Sequence, residues 1–122
     1  MEAKLLFSSG STTVDPKGKK ALVKLARVLE TNRDVNVMVE GHTDSDKYSS
    51  SAGAIKDNWD LSVLRATAVV RILKEGADIH PRRLTAAGRG QYFPVDDSTT
   101  AAAKAKNRRI EVILSPKLDE LF

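Results

Sequence analysis

The alternation of apolar strands with amphipathic helices is the feature that most constrains how this chain folds. Large apolar side chains recur at Val35, Val37 and Val39, and this period of two predicts a half-buried strand over residues 35–41. Helical periodicity precedes that strand from Pro16, with Asp15 as N-cap. A second helix follows the strand, with Asn58 or Asp60 as its N-cap, and ends at about residue 76. Helices of this length between strands favour crossover connections and therefore parallel strand pairs.

The rest of the chain continues the same alternation. Short strands are predicted at residues 5–7, 84–88 and 109–114, one helical turn at residues 80–83, and a brief helix at residues 101–106. The strands are amphipathic rather than uniformly apolar, which indicates that helices cover only one face of the sheet. We therefore expect an α/β (α+β) fold: a two-layer βαβαβ(α)β sandwich with a mixed four-stranded sheet. A polar loop at residues 45–57 and a tail at 118–122 complete the predicted organisation.

Length and composition limit the classes of function. With 122 residues, the chain is long enough for one hydrophobic core, so residues 1–122 are predicted to form a single domain. It has no cysteine and no apolar run of the roughly 20 residues that a membrane span needs. We expect no direct membrane insertion by this domain, and the start of the chain does not have the pattern of a signal peptide. The net charge is +4, but basic residues are interspersed with acids and only 5% of residues are aromatic, which disfavours nucleic acid as a partner.

One arginine lies on the apolar side of the second long helix. On a helical wheel Arg65 falls inside a stripe formed by Leu61, Leu64, Ala68, Val69 and Ile72. A guanidinium in that position needs an anionic partner or a route to water. Asp44 follows the end of the 35–41 strand, so we expect both charges at the same edge of the fold. Two interpretations are open: a pocket for a zwitterionic ligand, or a salt bridge that joins strand to helix.

Other candidate sites have weaker support. Residues 42–46 place an imidazole and two carboxylates at alternate positions, but zinc needs three or four convergent ligands, and no second acidic cluster is expected to face His42. There is no Gly-x-Ser-x-Gly nucleophile motif and no dinucleotide-binding loop. We therefore predict no metal, no cofactor and no catalytic constellation, with His42 as a structural residue.

Five sequence blocks, taken together, resemble the OmpA-like peptidoglycan-binding domain, which occurs in outer-membrane protein A, Pal lipoproteins and the flagellar stator protein MotB. The blocks lie in the family's order within residues 5–114: Leu6-Phe7 with Ser9-Gly10-Ser11, Glu40-Gly41-His42-Thr43-Asp44, Asn58-x-x-Leu61-Ser62-x-x-Arg65-Ala66, Leu84 to Gly88-x-Gly90 with Pro94, and Asn107-Arg108-Arg109-Ile110-Glu111. The resemblance implies non-covalent binding of the peptidoglycan stem peptide through its meso-diaminopimelate residue, without catalysis.

The same resemblance implies roles for particular residues. Asp44 takes the ammonium group of diaminopimelate, Arg65 takes a carboxylate, and Asn58 and Arg108 line the same pocket. Thr43 and Leu61 belong to the matching motifs, while Ser8 stands where many members carry an aspartate after the phenylalanine. This set agrees with the zwitterion interpretation of Arg65 and Asp44.

The resemblance also implies a location and leaves alternatives. It predicts a periplasmic domain that anchors a protein to the cell wall, tethered to the outer membrane by a segment outside this sequence. The Asn-Trp-Asp-Leu-Ser run at residues 58–62 is closer to the MotB branch, so the alternative is the wall-anchoring part of an ion-driven motor stator. The polar loop is longer than is usual for the family, and the sequence leaves open whether it changes affinity, contacts glycan or supports a homodimer.

Overall fold

The computed structural model describes residues 1–48, 53 and 55–117. Its regular elements are, in chain order, α1 (Pro16–Thr31), β1 (Val35–His42), α2 (Asn58–Gly76), β2 (Leu84–Gly88), α3 (Ala101–Asn107) and β3 (Arg109–Pro116), with single 3₁₀ turns at Ala3–Leu5 and Pro81–Arg83. The two long helices, the brief third helix and the turn before β2 confirm the prediction. The predicted tail and part of the polar loop lie outside the described residues.

The sheet is mixed, as predicted, and has the strand order β2-β1-β3. β1 pairs in parallel with β2, because α2 forms the crossover between them, and antiparallel with β3. Within the described residues the sheet has three strands, so the prediction of four was wrong. Cross-strand neighbours include Gly41 with Gly88 and Glu40 with Glu111.

The missing strand is the one predicted at residues 5–7. Leu5 ends a 3₁₀ turn, and Phe7 makes only an isolated bridge with Val14. Leu6 and Phe7 are both buried, with exposed fractions of 0% and 3%. Successive residues of a strand point to opposite faces, so a strand at this edge would turn one of the two toward solvent. The turn buries both, and the first turn of α1 packs against it at Gly18.

The helix caps agree with the sequence in one case and differ in the other. Asp15 caps α1, as predicted, by accepting a 2.9 Å hydrogen bond from the Gly18 backbone. The cap of α2 is Asp57, which accepts from the Asp60 backbone at 3.0 Å, and not the predicted Asn58 or Asp60. Asn58 is the first helical residue, and its side chain turns toward the end of β1.

The core lies between the helices and the face of the sheet that carries Val37, Val39 and Ile110. The buried stripe of α2 is rotated slightly from the prediction: Leu73 is fully buried, whereas Leu64 is 37% exposed. α2 approaches β1 very closely, since a Cβ atom built on Gly41 would lie 2.2 Å from the Ser62 carbonyl oxygen. This contact holds the first turns of α2 beside the end of β1. In the described part of the chain, no helix combines the length and apolarity that crossing a bilayer requires.

Candidate functional site

Four segments meet at the C-terminal end of β1 and enclose a pocket of about 460 Å³. They are the loop after the N-terminal 3₁₀ turn, the residues that follow β1, the first turns of α2, and the junction of α3 with β3. All seven residues predicted to bind a ligand line this pocket: Ser8, Thr43, Asp44, Asn58, Leu61, Arg65 and Arg108. The structure therefore brings together residues that lie up to a hundred positions apart in the chain.

Arg65 is a buried cation without a carboxylate partner among the described residues. It lines the pocket, and the residue is 5% exposed. Nε donates a 2.8 Å hydrogen bond to the Ser11 carbonyl, Nη2 a 3.4 Å bond to the Ser8 carbonyl, and the guanidinium lies 4.9 Å from the centre of the Phe7 ring. Burial lowers the pKa of Arg65 because it removes water from the charged group, and the nearby Arg108 adds to this effect. The remaining N–H groups are available to an anion.

Asp44 forms an ion pair with Arg108, not with Arg65. The proposal that a salt bridge between Asp44 and Arg65 joins strand to helix was therefore wrong. The Asp44 side chain is only 9% exposed, and its Oδ1 also accepts a 2.9 Å hydrogen bond from the Asp46 backbone. The Arg108 side chain is 43% exposed, so it reaches Asp44 from the solvent side. The pocket is thus lined by one buried carboxylate, that of Asp44, and one buried guanidinium, that of Arg65.

Asn58 connects the pocket to the neighbouring loop. Its Nδ2 donates to the Asp46 carbonyl at 3.0 Å and to the Gln91 side chain at 2.9 Å, with a longer 3.4 Å contact to the Asp44 carbonyl. No hydrogen bond from a described residue reaches its Oδ1. The amide therefore fixes the position of the Asp44 backbone while its oxygen stays available as an acceptor.

The other predicted residues shape the walls of the pocket. Leu61 is buried and apolar, whereas Ser8 is exposed at the rim. Thr43 is buried; its hydroxyl donates to the Asp44 carbonyl at 2.9 Å and its backbone N–H donates to the Gly90 carbonyl at 2.8 Å. Thr43 thus orients the backbone that carries Asp44.

Sequence reasoning missed Tyr48, which comes from the polar loop. Its hydroxyl donates a 3.4 Å hydrogen bond to the Gly10 carbonyl, and its ring would lie 3.4 Å from a Cβ atom at Gly10, whose φ is +71°. Tyr48 therefore links two loops that border the pocket, and both residues line it. The available signal was a single aromatic residue within an otherwise polar run.

A second polar cluster lies on the face of the sheet that points away from the long helices. Glu40, His42 and Glu111 each offer a possible ligand atom, and these atoms lie within 4.8 Å of one another. The prediction that no acidic cluster faces His42 was wrong, since Glu111 is the cross-strand neighbour of Glu40. Arg89 pairs with Glu40 at 3.1 Å and Arg109 with Glu111 at 2.6 Å, so each carboxylate already has a cationic partner.

The cluster favours a neutral histidine. Burial lowers the pKa of His42, although the 2.7 Å contact between its Nε2 and Glu40 opposes the shift. For Glu40, burial alone raises the pKa, but the hydrogen bonds with Arg89 and His42 outweigh it and the pKa lies below its usual value. The two arginines balance the charges of the two carboxylates within the fold, which agrees with a structural role for His42.

The model of the OmpA family matches residues 6–108. Motility protein B of Bacillus subtilis (strain 168) is 32% identical over 113 residues, which cover 93% of this chain and 42% of that protein. Among solved structures, a putative MotB like protein from Desulfovibrio vulgaris is 32% identical with a TM-score of 0.87, covering 96% of this chain and 71% of that one. The cell wall anchor of the T6SS from Pseudomonas aeruginosa is 30% identical with a TM-score of 0.79, covering 96% and 79%.

These similarities agree with the observed α/β fold and with the family that the sequence motifs predict. The chain spans about half the length of the curated relatives it matches. Those proteins bear the names of motility, lipoprotein and wall-anchor proteins rather than of enzymes, which supports the prediction of a domain that does not catalyse a reaction.

Proposed function

We propose that this chain, which belongs to the OmpA family, binds peptidoglycan non-covalently and anchors a larger protein to the cell wall. The observation that carries the proposal is the pocket at the end of β1, which is lined both by a buried guanidinium without a carboxylate partner among the described residues and by a buried carboxylate. A ligand that carries both charges at a matching separation would complete the pocket electrostatically.

The side chain of meso-diaminopimelate has this chemistry. It ends in a carbon atom that bears both an ammonium and a carboxylate group, whereas the lysine that replaces it in other stem peptides ends in an ammonium alone. In the proposed complex the carboxylate accepts hydrogen bonds from the free N–H groups of Arg65, and the ammonium donates to Asp44. A charge-assisted hydrogen bond of this kind contributes about 1.5–3 kcal/mol.

Arg108 adjusts to the ligand in this proposal. It pairs with the buried Asp44 while its own side chain is 43% exposed, so it can turn toward solvent when the ligand ammonium takes its place beside the carboxylate. It then lies at the mouth of the pocket, where it can contact a second carboxylate of the stem peptide. Asn58 is fixed by three acceptors and offers its oxygen to a backbone N–H of the peptide.

We propose a periplasmic location for the domain, because a peptidoglycan anchor has its ligand there. The relatives support two kinds of parent protein: an outer-membrane lipoprotein, such as the P. aeruginosa protein YfiB, and a motility protein, such as motility protein B of B. subtilis, for which the motor stator is our alternative. A chimera in which this chain replaces the matching part of the B. subtilis protein tests the stator alternative. Swimming that is restored in soft agar supports it, and non-motile cells with normal protein levels contradict it. Formation of a homodimer stays a prediction, which light scattering of the purified domain checks.

Co-sedimentation with purified sacculi tests the binding proposal. We expect Asp44→Asn to lose sedimentation with sacculi, because the neutral amide cannot pair with the ligand ammonium. Asp97→Asn, which makes the same change of charge at an exposed loop position, serves as the matched control and should sediment like the wild type. Circular dichroism checks that both variants are folded. A folded Asp44→Asn variant that sediments like the wild type would overturn the proposal.

A further inference from the structure

Two exposed aromatic rings form a pair beside the pocket. Trp59, in the first turn of α2, is 46% exposed, and Tyr92, in the loop after β2, is 57% exposed. Their ring centres are 5.0 Å apart and their planes are inclined by 32°. Single exposed apolar residues are common on protein surfaces, but a contiguous aromatic pair that stays open to water is typical of a binding surface.

The backbone beneath the pair holds it in place. Gly90, with φ of +58°, lies under both rings, and a Cβ atom there would be 3.4 Å from each of them. The Gly90 N–H donates to the Ser62 hydroxyl at 3.0 Å, and its carbonyl accepts from Thr43 at 2.8 Å. The backbone that supports the rings is therefore held in place by hydrogen bonds, and a rigid support lowers the entropic cost of binding.

The aromatic pair is continuous with the pocket. Two of the pocket residues, Thr43 and Asn58, hydrogen-bond directly to the loop that carries Tyr92, through Gly90 and Gln91. In peptidoglycan the stem peptide is covalently attached to a sugar of the glycan strand. Two or three extended residues separate that sugar from diaminopimelate, a reach of about 10 Å. A sugar attached to a peptide in the pocket therefore lies within reach of the rings.

We propose that Trp59 and Tyr92 bind an N-acetylated hexosamine of the glycan strand, an inference that rests on the proposed function. One face of a pyranose ring presents several C–H groups, which carry partial positive charge and pack against the negative face of an aromatic ring. The hydroxyl of Tyr92 lies at the edge of its own ring, where the sugar has its polar substituents. The subsite adds contact area and leaves the charge selectivity of the pocket unchanged.

The size of the patch favours a sugar over a protein partner. Fully covered, two aromatic side chains bury about 300–500 Å², whereas a stable protein interface needs about 800 Å² on each partner. The next aromatic residue, Phe93, is 52% exposed, but the Arg89 guanidinium already occupies one face of its ring, 4.2 Å from the ring centre. A single sugar ring matches the area of the Trp59–Tyr92 pair.

Trp59 is the only tryptophan of the chain, so its fluorescence reports directly on this subsite. We expect N-acetylglucosamine oligomers, which carry no peptide, to shift the Trp59 emission of the wild-type protein. Tyr92→Ala should reduce that response, whereas Val28→Ala, a change at an exposed residue of α1, should not. An emission spectrum that stays unchanged at millimolar oligomer would overturn the inference.

Calorimetry with two ligands separates this inference from the proposed function. We expect Trp59→Ala and Tyr92→Ala to weaken a disaccharide-peptide by about five- to tenfold and to leave the affinity for the free stem peptide within twofold of the wild type. If both variants bind the disaccharide-peptide like the wild type, the sugar subsite is wrong while the pocket stands. If the wild type does not bind the free peptide, the proposed function is wrong. If Trp59→Ala instead abolishes a dimer seen by light scattering, the rings belong to an interface between copies and the inference is overturned.

Discussion

Replacing Arg65 by leucine tests whether this buried cation serves a ligand or the fold. Leucine fits beside the apolar residues of α2, but it removes the positive charge on which the proposed carboxylate contact depends. We expect the variant to fold, to lose part of its stability, and to lose binding to the stem peptide. The neighbouring Asp44 keeps its ion pair with Arg108, so the substitution leaves no buried carboxylate unpaired.

The contacts of Arg65 set the size of the stability loss. Its 2.8 Å hydrogen bond to the Ser11 carbonyl contributes about 1.5–3 kcal/mol, since the donor is charged. The position of the guanidinium over Phe7 adds about 0.5–2 kcal/mol. Relief from burying a charge offsets part of this sum, so we expect a net loss of about 1–3 kcal/mol in the free energy of unfolding. Removing a guanidinium that was half of a buried ion pair would instead reduce the free energy of unfolding by about 3–5 kcal/mol.

Arg83 provides a matched control, because it is the other buried arginine in the described part of the chain. It is 6% exposed and donates to the carbonyls of Leu29, Asn32 and Val35 at 2.7–3.1 Å, away from the pocket. Arg83→Leu should reduce stability at least as much as Arg65→Leu, but it should leave the peptide affinity of the folded protein unchanged. Urea denaturation measures the first quantity and calorimetry the second.

Two results would refute this reasoning. One is an Arg65→Leu variant that binds the stem peptide with wild-type affinity, which would exclude a ligand contact. The other is a loss of binding in both variants in proportion to their loss of stability, which would mean that Arg65 acts only through the fold.

Two further predictions concern the sheet. Gly41→Ala places a methyl group 2.2 Å from the Ser62 carbonyl oxygen, so α2 must move away from β1. We expect the free energy of unfolding in urea to fall by about 3 kcal/mol, the upper end of the usual cost of overpacking, and an unchanged midpoint contradicts the close packing. The pKa of His42 in the folded protein is lowered by burial. As the pH falls below about 6.5, His42 therefore binds a proton in the unfolded chain before it does so in the folded protein. The contribution of His42 to the stability of the fold is complete above that pH and declines below it. His42→Gln should flatten this decline between pH 7 and 5. A variant of the exposed His80, His80→Gln, is the control and should show the same decline as the wild type. Equal slopes for the wild type and both variants would contradict the assignment of the decline to His42.

Local patterns predicted the elements whose period was long or strict. α1 and α2 span several turns with a consistent apolar stripe, and β1 alternates cleanly over Val35, Val37 and Val39, so their positions are confirmed to within one or two residues. The run at residues 5–7 was too short to distinguish a strand from a turn. Its conformation depends on the close contact between Leu6 and Gly18, which no local pattern contains.

The membership of the pocket was predictable, but the pairing of its charges was not. Arg65 stood out because a cation interrupts an apolar stripe, and the family motifs supplied the other positions. The partner of Asp44 is Arg108, which lies 64 positions away, and the two meet only because β3 runs antiparallel to β1. The same register places Glu111 beside Glu40 and His42, which accounts for the polar cluster that the sequence analysis missed.

The measurement that tests the central claim most directly compares two stem peptides that differ in one residue. Calorimetry of the wild-type domain with a peptide containing meso-diaminopimelate, and with the same peptide containing lysine, isolates the carboxylate assigned to Arg65. We predict that the diaminopimelate peptide binds at least tenfold more tightly, because the lysine peptide lacks a contact worth about 1.5–3 kcal/mol. Equal affinities for the two peptides would contradict the assignment of Arg65 as the carboxylate-binding residue.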